Sequence, residues 1–105
     1  ANELKEKILA AITGDEEVLV LCDLLGGTPF KVAFTIMGNR PDLQMNVLSG
    51  LNLAMLLETV FARMTLSFDE VAKKAVAAAH GGVVNGRELF SDDSEVIEED
   101  FESGI

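Results

Sequence analysis

The sequence predicts an α/β fold: a parallel sheet in a three-layer sandwich, with helices on both faces. Helical and extended patterns alternate in the order helix, strand, helix, strand, helix, helix, which is typical of this class. The apolar run at residues 18–22 shows no polar alternation, as in a strand covered by helices on both sides. Each such run is followed within a few residues by a helix-start signal.

A first helix is predicted at the start of the chain. Asn2 can serve as its N-cap, and Gly14 lies beyond its end. Its apolar positions recur at helical spacing on one face and are Leu4, Ile8, Ala11 and Ile12. The strand at residues 18–22 follows.

A glycine-rich turn leads from this strand into the second helix. Thr28 is predicted as the N-cap and Pro29 as the first helical residue, because a hydroxyl followed by proline is a common helix start. The helix covers about residues 30–37 and ends at Gly38.

A second strand is predicted at residues 45–48, closed by the pair Ser49-Gly50. Asn52 then caps a third helix. The apolar positions of this helix are Leu53, Leu56, Leu57, Val60 and Met64.

The last predicted helix begins with a capping box. Ser67 and Glu70 have the spacing at which each side chain satisfies a free amide of the first turn. The helix runs to about residue 79 and ends at His80-Gly81-Gly82. Residues 83–84 are predicted to begin a short final strand.

Composition and charge divide the chain into a domain at residues 1–90 and an acidic segment at 91–105. The net charge is −10, and residues 91–105 hold seven of the 18 acidic residues and none of the eight basic ones. We expect this segment to be a disordered tail, with an acidic docking segment as the alternative. The absence of a basic patch argues against a nucleic-acid partner.

Other compositional features indicate a cytoplasmic protein without a membrane span. No apolar run approaches the ~20 residues that a spanning helix requires, and no signal-peptide pattern opens the sequence. Cys22 is the single cysteine, so an internal disulfide is excluded, and its apolar surroundings predict a core residue. No metal-ligand cluster is present in the sequence, and we expect no metal and no cofactor.

The two strands cannot by themselves form a complete sheet. Two strands covered on both faces leave four open backbone edges, which an independent domain rarely tolerates. We therefore expect further strands, either from residues upstream of Ala1 or from another chain.

The segment after the first strand has the features of an anion site. Ligands of open parallel sheets bind at the carboxyl ends of the strands, where Asp23 and the pair Ser49-Gly50 are predicted to lie. Gly26 and Gly27 leave backbone amides unobstructed, and Thr28 opens a helix whose N-terminus attracts anions.

A carboxylate such as Asp23 repels an anion bound beside it, because like charges repel. Its place next to an anion site is explained if a cation lies between the two. A histidine fits: one ring nitrogen bonds the carboxylate and the other carries phosphorus. In the alternative interpretation Asp23 merely terminates a strand and Gly-Gly-Thr-Pro is an ordinary turn. The spacing matches neither the Walker loop nor the dinucleotide fingerprint.

Two motifs carry a family resemblance. They are Leu21-Cys-Asp-Leu-Leu-Gly-Gly-Thr-Pro-Phe30 and Val47-Leu-Ser-Gly-Leu-Asn-Leu-Ala-Met-Leu-Leu-Glu58. The chain resembles the mannose-family IIA component of the bacterial phosphoenolpyruvate-dependent sugar phosphotransferase system. The resemblance implies a cytoplasmic phosphotransferase, a homodimer with an exchanged C-terminal strand. Such a protein takes a phosphoryl group from the histidine-containing phosphocarrier protein and passes it to a IIB component.

The resemblance also assigns roles to single residues. It implies that Asp23 orients a phosphorylated histidine and that Gly27 and Thr28 lie against the phosphoryl group. We expect the amides from Gly26 to Thr28 to bind the phosphoryl oxygens. The rim of the site is expected to include Leu25, Ser49, Gly50 and Asn52.

The chain departs from the family at its start and at two motif positions. Family members open with a strand ending in His-Gly, then a helix and a second strand, and this sequence lacks all three. Lys31 and Ala54 replace an asparagine and a proline that are common in the family. We expect His80 to have a structural or surface role at a helix end, away from the Asp23 loop.

Three explanations of the missing acceptor histidine stay open: truncation, a separately encoded N-terminal piece, or a natural pseudo-carrier. The alternative functions are a regulatory module, as in a transcriptional activator, that senses phosphorylation without relaying it, and a plain anion-binding domain.

Overall fold

The computed structural model describes residues 2–90 of the chain. The acidic segment 91–105, predicted as a disordered tail, lies outside the described residues. The elements in chain order are α1 (Asn2–Ala11), β1 (Glu17–Leu21), α2 (Thr28–Asn39), β2 (Gln44–Leu48), α3 (Leu53–Ala62), α4 (Phe68–Gly81) and α5 (Gly86–Leu89).

The two strands form a parallel sheet, as predicted. Their register pairs Glu17 with Gln44 at one end and Leu21 with Leu48 at the other. The ladder continues past β1, because the Cys22 N–H donates to the Leu48 carbonyl at 2.8 Å. Each strand has a neighbour on one side only among residues 2–90.

Helices cover both faces of this sheet, which confirms the predicted layers. On one face α1 and α2 pack on a core whose buried residues are Cys22, Ala33, Ile36, Met45 and Val47. On the other face lies the α3 and α4 layer, whose buried residues are Leu48, Met55, Ala72 and Ala75. Side chains of β1 alternate between the two cores, Val20 toward the first and Leu19 toward the second.

The expected full burial of the first strand is wrong. Residues 18–21 are half-buried, and only Cys22, just beyond the strand, is buried. The helices contact β2 more than β1: α2 packs against β2, and α4 makes a smaller contact with it. The free edge of β1 therefore lies partly outside the helical layers.

Local capping signals were correct for two of the helices. The Asn52 side chain accepts a hydrogen bond from the Met55 N–H at 2.9 Å, which caps α3. Ser67 and Glu70 form the predicted capping box of α4. The hydrogen bond from the Ser67 hydroxyl to the Glu70 carboxylate holds the pKa of that carboxyl below its usual value.

The start of α2 differs from the prediction by one residue. Gly27, with extended backbone angles, is the N-cap, and Thr28 is already helical. Pro29 still lies in the first turn, where its missing N–H costs nothing, so the proline signal itself fits either start.

The short strand predicted at residues 83–84 is not formed. Val83 and Val84 are exposed and irregular, and α5 follows them. No strand of the described chain pairs with this segment, and two residues without a pairing partner do not form a strand.

Asn52 also ties the start of α3 to the end of α4. Its Nδ2 donates to the Ala79 carbonyl at 3.1 Å, across 27 residues of sequence. The two helices approach closely here, and a Cβ added to Gly82 would lie only 2.8 Å from the Cβ of Ala54.

We expect Asn52→Ala to lower the free energy of unfolding by about 1–3 kcal/mol, because both a helix cap and the partner of a half-buried carbonyl are lost. Asn52→Asp is the matched control, since it keeps the capping oxygen but cannot donate to Ala79. Urea unfolding measures both variants. A loss in Asn52→Asp equal to that in Asn52→Ala would assign the stability to the α4 bond alone, and no loss in either would contradict the prediction.

Candidate functional site

The carboxyl ends of the two strands are joined by the backbone around Asp23. The Gly50 N–H donates to the Asp23 carbonyl at 3.1 Å, and the Leu51 N–H donates to the Cys22 carbonyl at 3.0 Å. Gly50 has φ of +80°, a left-handed conformation that favours glycine. The structure thus brings Asp23 and the Ser49-Gly50 turn together, as the sequence predicted from the parallel sheet.

The Asp23 carboxylate is exposed, and one of its two oxygens accepts a hydrogen bond from the described chain. Its Oδ1 accepts a hydrogen bond from the Leu24 N–H at 2.8 Å. Its Oδ2 has no hydrogen-bond partner within residues 2–90. One oxygen is thereby held in place while the other can accept a donor from outside.

The first turn of α2 presents free backbone donors close to Asp23 in the chain. Its N-cap residue, Gly27, has no side chain to satisfy them. Pro29 has no N–H, and the Lys31 N–H already donates to the Gly27 carbonyl. The amides of Thr28 and Phe30 therefore lack a hydrogen-bond partner within residues 2–90. Phe30 was not predicted from the sequence; its amide is revealed by the helix start.

The two glycines of the turn are not required by the fold of the chain itself. Neither has a positive φ. A Cβ on Gly26 would meet nothing within 4 Å, and one on Gly27 would make only ordinary contacts of 3.5 Å or more, with Leu24 the nearest. The Gly27 N–H donates to the Leu24 carbonyl at 3.3 Å, whereas the Gly26 N–H has no hydrogen-bond partner in the described part of the chain. What the glycines provide is access to the backbone from outside.

A cavity of about 590 Å³ lies on the α4 side of this region. Its polar lining residues are Ser49, Asn52 and His80, and Phe30 and Val83 contribute apolar surface. The lining includes neither Asp23 nor residues 26–28. No pattern in the sequence predicted that His80, Phe30 and Val83 would line one cavity, because they come from separate parts of the chain.

His80 lies at a helix end, as predicted. It is in the last turn of α4, and Asp23 is not part of the cavity that it lines. It shares the cavity with Gly50, which is hydrogen-bonded to Asp23. His80 is exposed, and residues 26–28 are not among the residues that line its cavity.

The other side chains around Asp23 differ in exposure to solvent. Leu24 and Leu25 are exposed apolar side chains on the turn after β1. Cys22 is buried, as predicted, and burial first and the Asp23 charge second raise the pKa of its thiol. Among residues 2–90 no three potential metal ligands cluster.

Comparison with known proteins places this geometry in a family. The sequence model described as the PTS (phosphotransferase system) fructose IIA component matches residues 1–76. The chain is 38% identical over 76 residues to the mannose-specific EIIAB component of Escherichia coli K12, covering 71% of this chain and 23% of that protein. It is 38% identical over 74 residues to the sorbose-specific EIIA component of Klebsiella pneumoniae, covering 70% and 53%.

A solved structure shares the fold. The phosphotransferase system component EIIA from Streptococcus agalactiae superposes with a TM-score of 0.77 at 36% identity, over 83% of this chain and 68% of that one. None of the helices within residues 2–90 has the length and apolarity to cross a bilayer. The chain spans about half or less of the curated relatives it matches, but the match covers most of its own length. The chain therefore belongs to the family of PTS fructose IIA components.

Proposed function

We propose that this chain works in phosphoryl transfer during sugar uptake, as the IIA component that receives phosphate from the histidine-containing phosphocarrier protein and passes it to a IIB component. One observation carries the proposal: a carboxylate with a free oxygen stands at a strand end, and an uncapped helix N-terminus opens four residues later in the chain. Family membership supports it, since the relatives are named as components of this system.

The chemistry divides between the two halves of the site. Asp23 Oδ2 accepts the N–H of an acceptor imidazole, which fixes the tautomer and stabilises the positive ring. The other ring nitrogen attacks phosphorus, so that one phosphorus–nitrogen bond forms while the bond to the donor histidine breaks. The reverse sequence delivers the group to the IIB component.

The helix N-terminus stabilises the transferred group. The free amides of Thr28 and Phe30, with the Thr28 hydroxyl, can donate to the phosphoryl oxygens. Gly26 and Gly27 allow those oxygens to approach the backbone. Such donors contribute most where charge develops during transfer, and they are already in position before the reaction.

The acceptor histidine comes from polypeptide outside these 105 residues. The chain contains one histidine, His80, and the cavity that it lines includes neither Asp23 nor residues 26–28. We further propose a cytoplasmic homodimer, in which residues 83–84 of one copy extend the free edge of β2 in the other. The exposed Val83 at the cavity bordered by Val47 supports that arrangement.

A second candidate function is a regulatory module that senses phosphorylation without relaying it. A different observation favours it: the one histidine of the chain lines a cavity whose lining does not include Asp23. The sequence immediately upstream of Ala1 discriminates, because a His-Gly pair at the end of a strand favours relay and its absence favours the regulatory module.

We expect the chain as given not to accept phosphate on His80. Incubation with phosphoenolpyruvate and the general phosphotransferase proteins, followed by intact mass and peptide mapping, tests this. The same incubation with His80→Ala is the control for adventitious labelling. A phosphohistidine at His80 would contradict the prediction and would make the cavity beside Ser49 the reaction site.

A further inference from the structure

Lys31 is a charged residue near the start of α2 that the proposed mechanism does not use. We propose that its ammonium group binds the oxygens of the phosphoryl group beside the free amides of α2, and so holds that group on this protein. Lys31 replaces an asparagine that is common in the family, so the inference concerns this chain in particular. It rests on the proposed function in one respect, namely that the anion bound here is a phosphoryl group.

The charge balance of the site calls for a cation. Residues 22–31 contain Asp23 and Lys31, and residues 48–53 contain no charged side chain. Without the seven acidic residues of 91–105, the chain has 11 acidic and eight basic side chains, so residues 1–90 carry a net charge of −3. A phosphoryl group on a side chain adds a charge of about −1.5 to −2 at pH 7. Lys31 is the one side chain in these two segments that can offset it.

The start of α2 differs in charge from the starts of α1 and α4. No acidic residue lies in its first turn, whereas α1 has Glu3 there and α4 has Asp69 and Glu70. Lys31 is the fourth residue of α2 and the only charged one. A cation close to a helix N-terminus is disfavoured by the helix dipole, so Lys31 does not stabilise the helix. An anion bound at the same helix end gives the lysine a favourable partner.

Lys31 lies on the side of α2 that adjoins Asp23. Residues three and four apart are neighbours on a helix surface, so Lys31 follows Gly27 and Thr28 on one face. A Cβ on Gly27 would lie 3.5 Å from the Cβ of Leu24. The Leu24 N–H in turn donates to the Asp23 carboxylate. The lysine, the glycine and the carboxylate therefore lie on one side of the helix start.

The Lys31 side chain is long enough to reach the free amides. The N-cap, Gly27, lies four positions earlier, which is about 6 Å along the axis at ~1.5 Å per residue. Helix side chains lean toward the N-terminus, and the flexible four-carbon stem of lysine spans about that distance. Gly27 has no side chain in its path. The ammonium is exposed and has no hydrogen bond or ion pair within residues 2–90, so it is available to an anion.

The ammonium and the amides act on the same group from different directions. The amides of Thr28 and Phe30 donate to the phosphoryl oxygens from the end of the helix, and the Lys31 ammonium donates from its side. A lysine is a point charge on a flexible stem, so it needs no fixed bond geometry. A charge-assisted contact of this kind stabilises the phosphorylated protein. It shifts the equilibrium with the phosphoryl donor toward this protein.

Inorganic phosphate is the probe for the chain as it stands. A titration followed by the amide NMR signals of Thr28 and Phe30 gives a dissociation constant without a phosphoryl donor. Lys31→Gln keeps a similar helix propensity but removes the charge, and it should raise that constant about three- to tenfold. Lys31→Arg keeps the charge and should stay within about twofold of the unchanged chain.

Lys73→Gln is the matched control for the lost charge. Lys73 is exposed on α4, so the substitution changes the net charge of the chain by the same amount. The start of α4 lies beside Glu17 and Gln44, the first residues of the two strands, at the end of the sheet opposite to Asp23. This variant should therefore bind phosphate as the unchanged chain does.

Thermal unfolding separates a contact with the anion from a structural role. Lys31→Glu should melt at the same temperature as the unchanged chain or higher, because the helix dipole favours an acidic residue near the start of α2. The same variant should bind phosphate most weakly of all. A lysine that only supported the fold would give the opposite result, namely a lower melting temperature with unchanged binding.

Three results would overturn the proposal. They are equal dissociation constants for Lys31→Gln and the unchanged chain, an equal loss in Lys73→Gln, and phosphate that leaves the signals of Thr28 and Phe30 unshifted.

Failure of this proposal is distinguishable from failure of the proposed function. Phosphorylation is measured in the protein that carries the opening strand with its acceptor histidine ahead of residue 1. There Lys31→Gln should lower the equilibrium constant for phosphorylation by the donor about three- to tenfold. Phosphate binding that depends on Lys31, in a protein that accepts no phosphoryl group, would refute the function and leave the contact with the anion. Phosphorylation that is unchanged in Lys31→Gln would refute the role of Lys31 alone.

Discussion

Asp23→Asn should lower the rate of phosphoryl transfer to the IIB component by about 10²- to 10⁴-fold, the upper value being the loss known for an aspartate–histidine pair in a protease. The amide can offer its NH2 group to the imidazole and favour the wrong tautomer, and it cannot stabilise the positive ring. The measurement requires a protein that carries the opening strand with its acceptor histidine ahead of residue 1.

Stability should be nearly unchanged in the same variant. Asp23 is exposed, and an asparagine oxygen can still accept the hydrogen bond from Leu24. We therefore expect the free energy of unfolding to change by no more than about 0.5 kcal/mol. Collapse of the fold would show instead that Asp23 only terminates the strand.

Thr28→Ala should lower the rate of transfer less than Asp23→Asn does. It removes a hydroxyl but leaves the amides of Thr28 and Phe30, so its loss of rate should be smaller than the ~10²-fold or more typical of removing a single preorganised donor. Unchanged transfer in Asp23→Asn would remove the carboxylate from the mechanism, whatever the result for Thr28→Ala.

Met55→Ala should lower the free energy of unfolding by about 2–5 kcal/mol, the range measured for truncating large buried side chains. Met55 is 1% exposed and is the largest fully buried side chain of residues 2–90. Two of its buried neighbours, Ala72 and Ala75, are too short to move into the space that it leaves. The melting temperature of so small a domain should fall by about 10 °C or more.

Met64→Ala is the matched control for this loss. It makes the same chemical change just beyond the end of α3, at a side chain that is largely exposed. We expect a change of at most about 0.5 kcal/mol. Equal losses in the two variants, measured by urea and thermal unfolding, would contradict the assignment of Met55 to the core.

The sequence predicted best those features that residues a few positions apart complete among themselves. Asn52 and the Ser67–Glu70 box cap their helices as expected, because each bond closes within three residues. The contiguous motif around Asp23 likewise predicted a carboxylate at a strand end followed by a glycine-rich helix start. The N-cap of α2 was predicted one residue too late, at Thr28 instead of Gly27. Proline is tolerated throughout the first turn of a helix, so Pro29 does not distinguish between the two starts.

Predictions that depended on neighbours distant in sequence were less successful. The apolar run of β1 predicted full burial, yet its burial depends on what lies along its free edge. Residues 83–84 have the composition of a strand, but a strand exists only with a pairing partner, and residues 2–90 supply none there. The cavity that His80 shares with Gly50 was not predicted, because no local signal relates the end of α4 to the turn after β2.

The sequence by itself determined the order of elements, the helix caps and the identity of the Asp23 motif, because hydrogen bonds and periodicity within a short segment specify them. Tertiary structure alone decided the bond from Gly50 to Asp23, the free amide of Phe30, the cavity that His80 shares with Ser49, and the exposed face of α3 beside the open edge of β1. These four features depend on which surfaces of the helices and strands contact one another. Such contacts form only when the whole chain has packed together with the polypeptide that covers its open edges.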